Sequence, residues 1–354
     1  MSSDVSPLFI RDIGEQGLLE RLQRFCPNDI VGDDAAVLSS LELGQSLVVT
    51  TDVLVDGVHF SDRTTSPQDV GWRAAAVNLS DLAAMGATPL GITVGLSITG
   101  DTSVSWVEGV YQGLTQCLQE YNTEIVGGDV VRSPLVSLAI TAFGQVSPPR
   151  IIRRSAAKVG DAIVVTGVHG ASRAGLELLL NPELGQNLSK DERSHLIQAH
   201  QRPKPRLDVL PILWKVLDSQ SLPPLTPPYQ GEEAKSKIQV AGMDSSDGLA
   251  DAVLQICRCS GVGAKIERTQ IPVPPLLNQF VSPEQLIDWA LYGGEDFELV
   301  LCLPPEAAEA LVKRLGGDAA VVGEITPGKE VCLRDSTGTY ADERLTLTRG
   351  FQHF

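Results

Sequence analysis

SLVVTTDVLVDGVHF, residues 46–60, sets an apolar, β-branched run beside two acidic residues and a histidine. Residues 46–51 read as a strand, because Val and Thr suit a pleated, half-buried surface. The run ends in Thr50-Thr51-Asp52. A carboxylate at a strand end is held by a rigid element and still reaches a solvent cleft. The Thr hydroxyls beside it add neutral oxygen donors. An Asp in such a place also caps turns. Asp33 and Asp34, just upstream, supply a second acidic pair and favour a cation instead.

The pattern repeats outward. An Ala-rich segment, RAAAVNLSDLAAM, makes residues 68–85 helical, and GITVGLSI (91–98) is a strand. Residues 103–120 place Val107, Val110, Leu114 and Leu118 at helical spacing, and 136–146 is again a strand. In the second half, 161–166 and 297–303 read as strands. Residues 170–181, 189–200, 205–217, 247–259 and 305–315 read as helices, with Pro203 and Pro205 as breaks. Each half holds a strand that ends in Asp beside Ser or Thr and leads to a helix. The expected fold is a mixed α+β and α/β one in two domains, 1–150 and 151–354. The boundary falls at the start of PPRIIRRSAAKVGD (148–161), and Pro-rich residues 218–238 form an inserted surface loop.

Composition narrows the function. The chain has 354 residues, 43% hydrophobic and 20% charged, with a net charge of −16. That balance suits a globular protein and argues against non-specific binding to nucleic acid or anionic membrane, which needs a basic surface. No run of eighteen apolar residues predicts a transmembrane helix. The six cysteines are scattered and no signal peptide precedes them, so a reducing cytoplasm is expected. Cys257 and Cys259 fall two apart in a predicted helix and do not share a face, which speaks against a zinc site.

Six segments place Asp or Glu beside Gly, Ser or Thr at apparent strand ends: GDDAA (32–36), TTD (50–52), NLSD (78–81), GGD (127–129), DSSDG (244–248) and GGED (293–296). Oxygen ligands select Mg²⁺, which sits between one or two carboxylates and substrate phosphates. Ser80 and Asp81 interrupt an otherwise apolar helix. A buried carboxylate needs a partner, and a cation or Arg73, two turns back, could serve. Gly127-Gly128 allow close backbone approach to phosphate, or simply a turn. Ser246 or Asp247 could cap the helix that follows or present its N–H groups to an anion. His59, close to the acidic strand end, is the histidine expected to touch substrate. His169, His195, His200 and His353 have no such neighbourhood. No GxxxxGK[ST], kinase-type GxGxxG or GxSxG occurs.

The stretches IVGDDAAVL, TTDVLVDGVHF, RAAAVNLSDLAAMGATP, IVGGDVVRSP, RRSAAKVGDAIVVTG, DSSDGLADAVLQICRCSGVGAKI and LYGGEDFELV, with GFQHF at the end, run in one order. Together they resemble the thiamine-monophosphate kinases, within a wider group of ATP-dependent synthetases. The resemblance implies a two-domain synthetase fold and a homodimer joined through the N-terminal domains. It implies transfer of the ATP γ-phosphoryl group to thiamine monophosphate, with several Mg²⁺ ions. By that resemblance Asp34, Thr50, Thr51, Asp52, Asp81, Asp129, Asp244 and Asp247 hold metal, with Asp52, Asp81 and Asp129 catalytic. Tyr111, Gly128, Arg154 and Ser246 contact ATP. His59, Glu295 and Phe351 meet the thiamine phosphate. The chain departs from the common pattern at DSSDG, at GGDVV and at Phe351. The alternatives are another synthetase of the same group or a non-catalytic, acidic metal-binding protein.

Overall fold

The computed structural model describes residues 7–27, 41–220 and 238–350. GDDAA with Asp34, residues 221–237 of the Pro-rich loop, and Phe351 lie outside the described residues. The first half runs α1 (Ile10–Leu22), β1 (Ser46–Val55), α2 (Pro67–Ala84), β2 (Thr88–Ile98), α3 (Val104–Glu120), β3 (Ile125–Arg132) and β4 (Ser137–Val146). Its sheet has the order β1-β4-β2-β3. β4 is antiparallel to β1 and β2, while β3 is parallel to β2.

β1 does not end at Asp52 as its sequence suggested. Pairing continues to Val55 opposite Ser137, because Val53-Leu54-Val55 keep the apolar, β-branched alternation and Leu54 is buried. GGD is likewise inside β3 rather than at an end. Gly127, Gly128 and Asp129 pair with Thr93, Val94 and Gly95, so a neighbouring strand supplies the order that two glycines weaken.

One face of this sheet is covered by α2 and α3 and holds the first core, with Ile92, Val94, Leu138 and Ile140 fully buried. α2 starts at Ser66, whose hydroxyl accepts from the Asp69 N–H (3.3 Å), and has Pro67 in its first turn. α2 and α3 touch backbone to backbone. A Cβ on Gly71 would fall on the Val110 carbonyl, and one on Gly113 on that of Gln68.

The second half runs β5 (Ala162–Val165), α4 (Ala171–Leu180), α5 (Lys190–Gln201), α6 (Val209–Gln220), β6 (Ala241–Asp244), α7 (Leu249–Ser260) and β7 (Gly263–Glu267). It continues with α8 (Pro283–Tyr292), β8 (Leu299–Leu303), α9 (Pro305–Leu315), β9 (Ala320–Thr326), β10 (Val331–Arg334) and β11 (Glu343–Arg344). Its sheet has the order β11-β10-β7-β9-β5-β8-β6, with β10 parallel to β7 and the other pairs antiparallel. Both faces are covered. Val300 and Cys302 of β8 pack with α7 and α8, while Leu299, Leu301 and Leu303 pack with α6 and α9. That is why LVLCL is apolar throughout. Ala83 and Ala84 of α2 belong to the same cluster as α6 and α9. The helix of the first half thus also builds the core of the second.

Candidate active site

α2 brings the site together. Of its eighteen residues, Asp69, Arg73, Asn78 and Ser80 are buried polar groups, and each finds a partner, Asp69 accepting from Ser66 and Arg202. The Ser80 hydroxyl donates to Asp244 Oδ2 (2.6 Å) at the end of β6. Asp81 accepts from the Thr50 hydroxyl on β1. Arg73 does not pair with Asp81 but with Glu295, before β8. Asn78 donates to the Ala74 carbonyl (3.0 Å).

The carboxylates near β1 are crowded and undercompensated. Burial pushes the Asp52 carboxyl up to about 6, and the charges of Asp244 and Asp247 add to it. Burial and then the Asp244 charge push Asp81 up to about 7, against the Thr50 hydrogen bond and the Arg154 charge. Asp244 is raised too, chiefly by burial, despite hydrogen bonds from Ser80 and Ser246. Oδ2 of Asp52 is buried and has no hydrogen-bond partner among the described residues. Anions held this way favour a cation.

These donors are carboxylates and hydroxyls, the hard oxygen ligands that suit Mg²⁺. Yet among the described residues no three His, Cys, Asp or Glu side chains converge closely enough to hold an ion. A set that raises its own pKa values without closing into a cage fits a metal that arrives with phosphate oxygens.

Beside the cluster lies a cavity of about 850 Å³, walled by Asp52, His59, Arg73, Val77, Arg173, Leu176, His200, Ser246, Asp247, Glu295 and Phe297, among others. His59 Nδ1 accepts the Val55 N–H (3.1 Å), which puts the ring proton on Nε2. Ser246 donates to Asp244 Oδ1 (3.0 Å). Neither Ser246 nor Asp247 is the N-cap of α7; that position is Gly248, at φ 104°. Asp296, next to Glu295, turns away from the cavity. It accepts the Gly170 and Ser172 N–H groups (2.7 and 2.9 Å) at the start of α4, the helix that carries Arg173 and Leu176 to the cavity wall.

At Glu295, which also lines the cavity, burial would raise the carboxyl, but the Arg73 charge and a hydrogen bond from His200 outweigh it and hold it down at about 2. His200 had no visible acidic neighbour in the sequence. Here it is buried, faces Glu295 Oε2 (3.4 Å) and lines the cavity. Arg73 and His200 are the functional candidates that sequence reading did not assign. The one available signal was a lone arginine opening an Ala-rich apolar helix.

Of the other predicted residues, Thr51 borders the cavity, but its side chain alternates to the far face of β1, where its hydroxyl meets Thr141 (2.5 Å); the rest lie elsewhere. Asp129 is exposed on β3, at the opposite edge of the sheet from β1, with β4 and β2 between. Gly128 is also on β3, and a Cβ there would fall on the Val94 carbonyl. Tyr111 is buried in the first core, its ring 5.7 Å from Phe25, rather than at the cavity. Arg154 sits in an exposed single turn, and its charge acts on Asp81 and Asp244.

Family models of AIR synthase related proteins match the chain in both halves: the N-terminal domain over residues 32–146 and the C-terminal domain over 226–335. A thiamine-monophosphate kinase of Synechococcus elongatus is 53% identical over 345 residues, 98% of each chain. The solved thiamine-monophosphate kinase of Stenotrophomonas maltophilia superposes with a TM-score of 0.73 at 31% identity, covering 89% of this chain and 95% of that one. AaThiL complexed with AMPPCP and TMP superposes with a TM-score of 0.68 at 29% identity, over 97% and 99% of the two chains. The chain belongs to the thiamine-monophosphate kinase family of AIR synthase related proteins.

Proposed function

We propose that this chain transfers the γ-phosphoryl group of ATP to the phosphate of thiamine monophosphate, giving thiamine diphosphate and ADP. The full-length similarity to thiamine-monophosphate kinases supports the reaction. The observation that carries it onto particular residues is the crowded carboxylate group of Asp52, Asp81 and Asp244 at the edge of a cavity large enough for a small substrate.

Mg²⁺ at these carboxylates, when bound, screens the repulsion between two phosphate groups and aligns attacker and leaving group in line. Asp52 and Asp81, with Thr50 beside them, and Asp244 and Asp247 are the ligands assigned from the described residues. Asp34, Thr51 and Asp129 complete the proposed set. Ser80 and Ser246 hold Asp244 in place from two sides. Arg154, whose charge reaches Asp81 and Asp244, binds ATP phosphate. Gly128, Tyr111 and Ser246 are assigned to the nucleotide by family pattern.

His59 presents Nε2–H to the acceptor phosphate and orients it. That phosphate is largely ionised near neutral pH, so transfer is direct, needs no strong general base and forms no phosphoenzyme. Val77, Leu176 and Phe297 give the cavity an apolar lining suited to a heteroaromatic ring, and Glu295 offers an acceptor to a cationic, amine-bearing one. Phe351 is assigned to the same ring.

Residues 1–150 carry most metal ligands and 151–354 complete the nucleotide and acceptor sites. A homodimer is part of the proposal. The uncovered face of the first sheet exposes Leu47, Val49 and Val53 on β1 and Val131 on β3, an apolar patch that a second copy would bury. A monomer in sedimentation equilibrium would remove that part. The cysteines of the described residues are free and no helix there is long and apolar enough to cross a membrane, in keeping with a cytoplasmic protein.

The test is an assay with ATP, Mg²⁺ and thiamine monophosphate. Thiamine diphosphate should form at a rate that depends on Mg²⁺. Absence of product, or radiolabel retained on the protein after exposure to γ-labelled ATP, would contradict the reaction or its direct course.

A further inference from the structure

Arg73 is 2% exposed. A buried guanidinium is costly unless its charge and donors are met. Its ion pair among the described residues is with Glu295, 222 positions away in sequence, and its other terminal nitrogen donates to the His200 carbonyl. His200 faces the second oxygen of the same carboxylate, and Ser172 stands 3.1 Å from the His200 ring nitrogen. Glu295 is therefore gripped from two helices, α2 and α5.

The grip acts on an unusual backbone. Glu295 has φ +59° and Phe297 φ +53°, in the left-handed region that non-glycine residues avoid. Such a conformation persists where surrounding contacts over-determine it, and it clusters at ligand sites. Here the contacts are the Glu295 N–H to the Ser246 carbonyl (2.7 Å) and the side-chain pair with Arg73. A third of the Glu295 side chain, 34%, stays exposed, and the residue forms part of the cavity wall.

We propose that Arg73 is a positioning residue: from α2 it fixes the Glu295 carboxylate at the cavity wall, and thereby places the acceptor substrate relative to Asp81 on the same helix. Arg73 and Asp81 are eight residues apart, roughly 12 Å along a rigid helix. One helix thus measures the separation between the acceptor contact and the carboxylate cluster. This rests on Glu295 touching the acceptor, as assigned above.

The test is steady-state kinetics on wild type, Arg73→Met, Arg73→Lys, Glu295→Gln and the Arg73→Met/Glu295→Gln double variant, each with its melting temperature. Loss of a buried, charge-assisted contact should raise KM for thiamine monophosphate about tenfold in Glu295→Gln and in Arg73→Met, with KM for ATP within about twofold. Arg73→Lys should recover much of that loss. The double variant should be no worse than Arg73→Met, because both remove one contact. Additive losses in the double variant, or Arg73→Met shifting both KM values equally, would show a merely structural residue and overturn the proposal. Should Arg73→Met not fold, Arg73→Lys, alone and combined with Glu295→Gln, carries the test through the smaller rise that it leaves. A residual rise in acceptor KM that vanishes in the Glu295→Gln background supports the proposal, and the same rise in both backgrounds overturns it. An unchanged acceptor KM in Glu295→Gln overturns the contact on which the proposal rests. A wild type that makes no thiamine diphosphate rejects the reaction itself.

Discussion

Two sets of carboxylates at one cavity have opposite character: Asp52 and Glu295 line it, and Asp81 neighbours Asp52. On the β1 side, Asp52 and Asp81 are pushed up to about 6 and about 7, by burial first and then by their acidic neighbours. On the β8 side, burial acts on Glu295 in the same direction, yet Arg73 and His200 reverse it and hold the group down at about 2. Burial is common to both sides. The difference is that Glu295 is paired directly with Arg73 and His200, whereas Asp52 and Asp81 have no ion pair among the described residues and only the Arg154 charge opposes the rise of Asp81. One set is compensated within the protein; in the proposed function the other is compensated by a bound cation. This is the arrangement expected where binding, rather than folding, completes a site.

The sharpest way to break this contrast is Asp52→Asn. It keeps the shape and removes a charge from the uncompensated set. Turnover should fall about a hundredfold or more, while the metal-free protein becomes no less stable near neutral pH, because like-charge repulsion is relieved. Wild-type turnover in this variant would reject Asp52 as a ligand.

A smaller effect follows from proton linkage. Asp52 and Asp81 bind protons more tightly folded than unfolded, since both rise from an ordinary value of 3.8. Their contribution is fully present below that unfolded value and is lost as pH rises through about 6 and 7. The melting temperature of the metal-free protein should therefore decline from acid toward neutral pH, less steeply in Asp52→Asn. Glu295 has the opposite sign. Its contribution is present above its unfolded value and is lost only as pH falls through about 2. It leaves the neutral range flat. A melting temperature that rises between pH 5 and 8 would contradict the reading of the β1 side.

The two sides were not equally legible in the sequence. TTD, NLSD and DSSDG announce themselves, since acidic residues in apolar surroundings need a reason. The long, periodic elements are legible for the same kind of reason. The predicted helix 305–315 is α9 to the residue, and 103–120 is α3 with one residue more at its start. β3, with GGD inside it, and the four-residue β6 and β10 give only short apolar runs to read, and depend on their sheet neighbours. The Glu295 side is less visible still. GGED suggests a turn, but nothing local shows that Arg73 reaches it or that His200 backs it. Those are long-range contacts that only the packing of α2 against the second half creates. Strand alternation also separates neighbours that read as one motif, sending Thr50 and Asp52 to the α2 side and Thr51 to the other.

The central claim is that the β1 side stays incomplete until cation and phosphate arrive together. Calorimetric titration of the metal-free protein with Mg²⁺, with and without a non-hydrolysable ATP analogue, tests it most directly. Affinity for Mg²⁺ should rise about tenfold or more when the analogue is present. Equally tight Mg²⁺ binding without nucleotide would contradict the account and favour a site that the protein closes by itself.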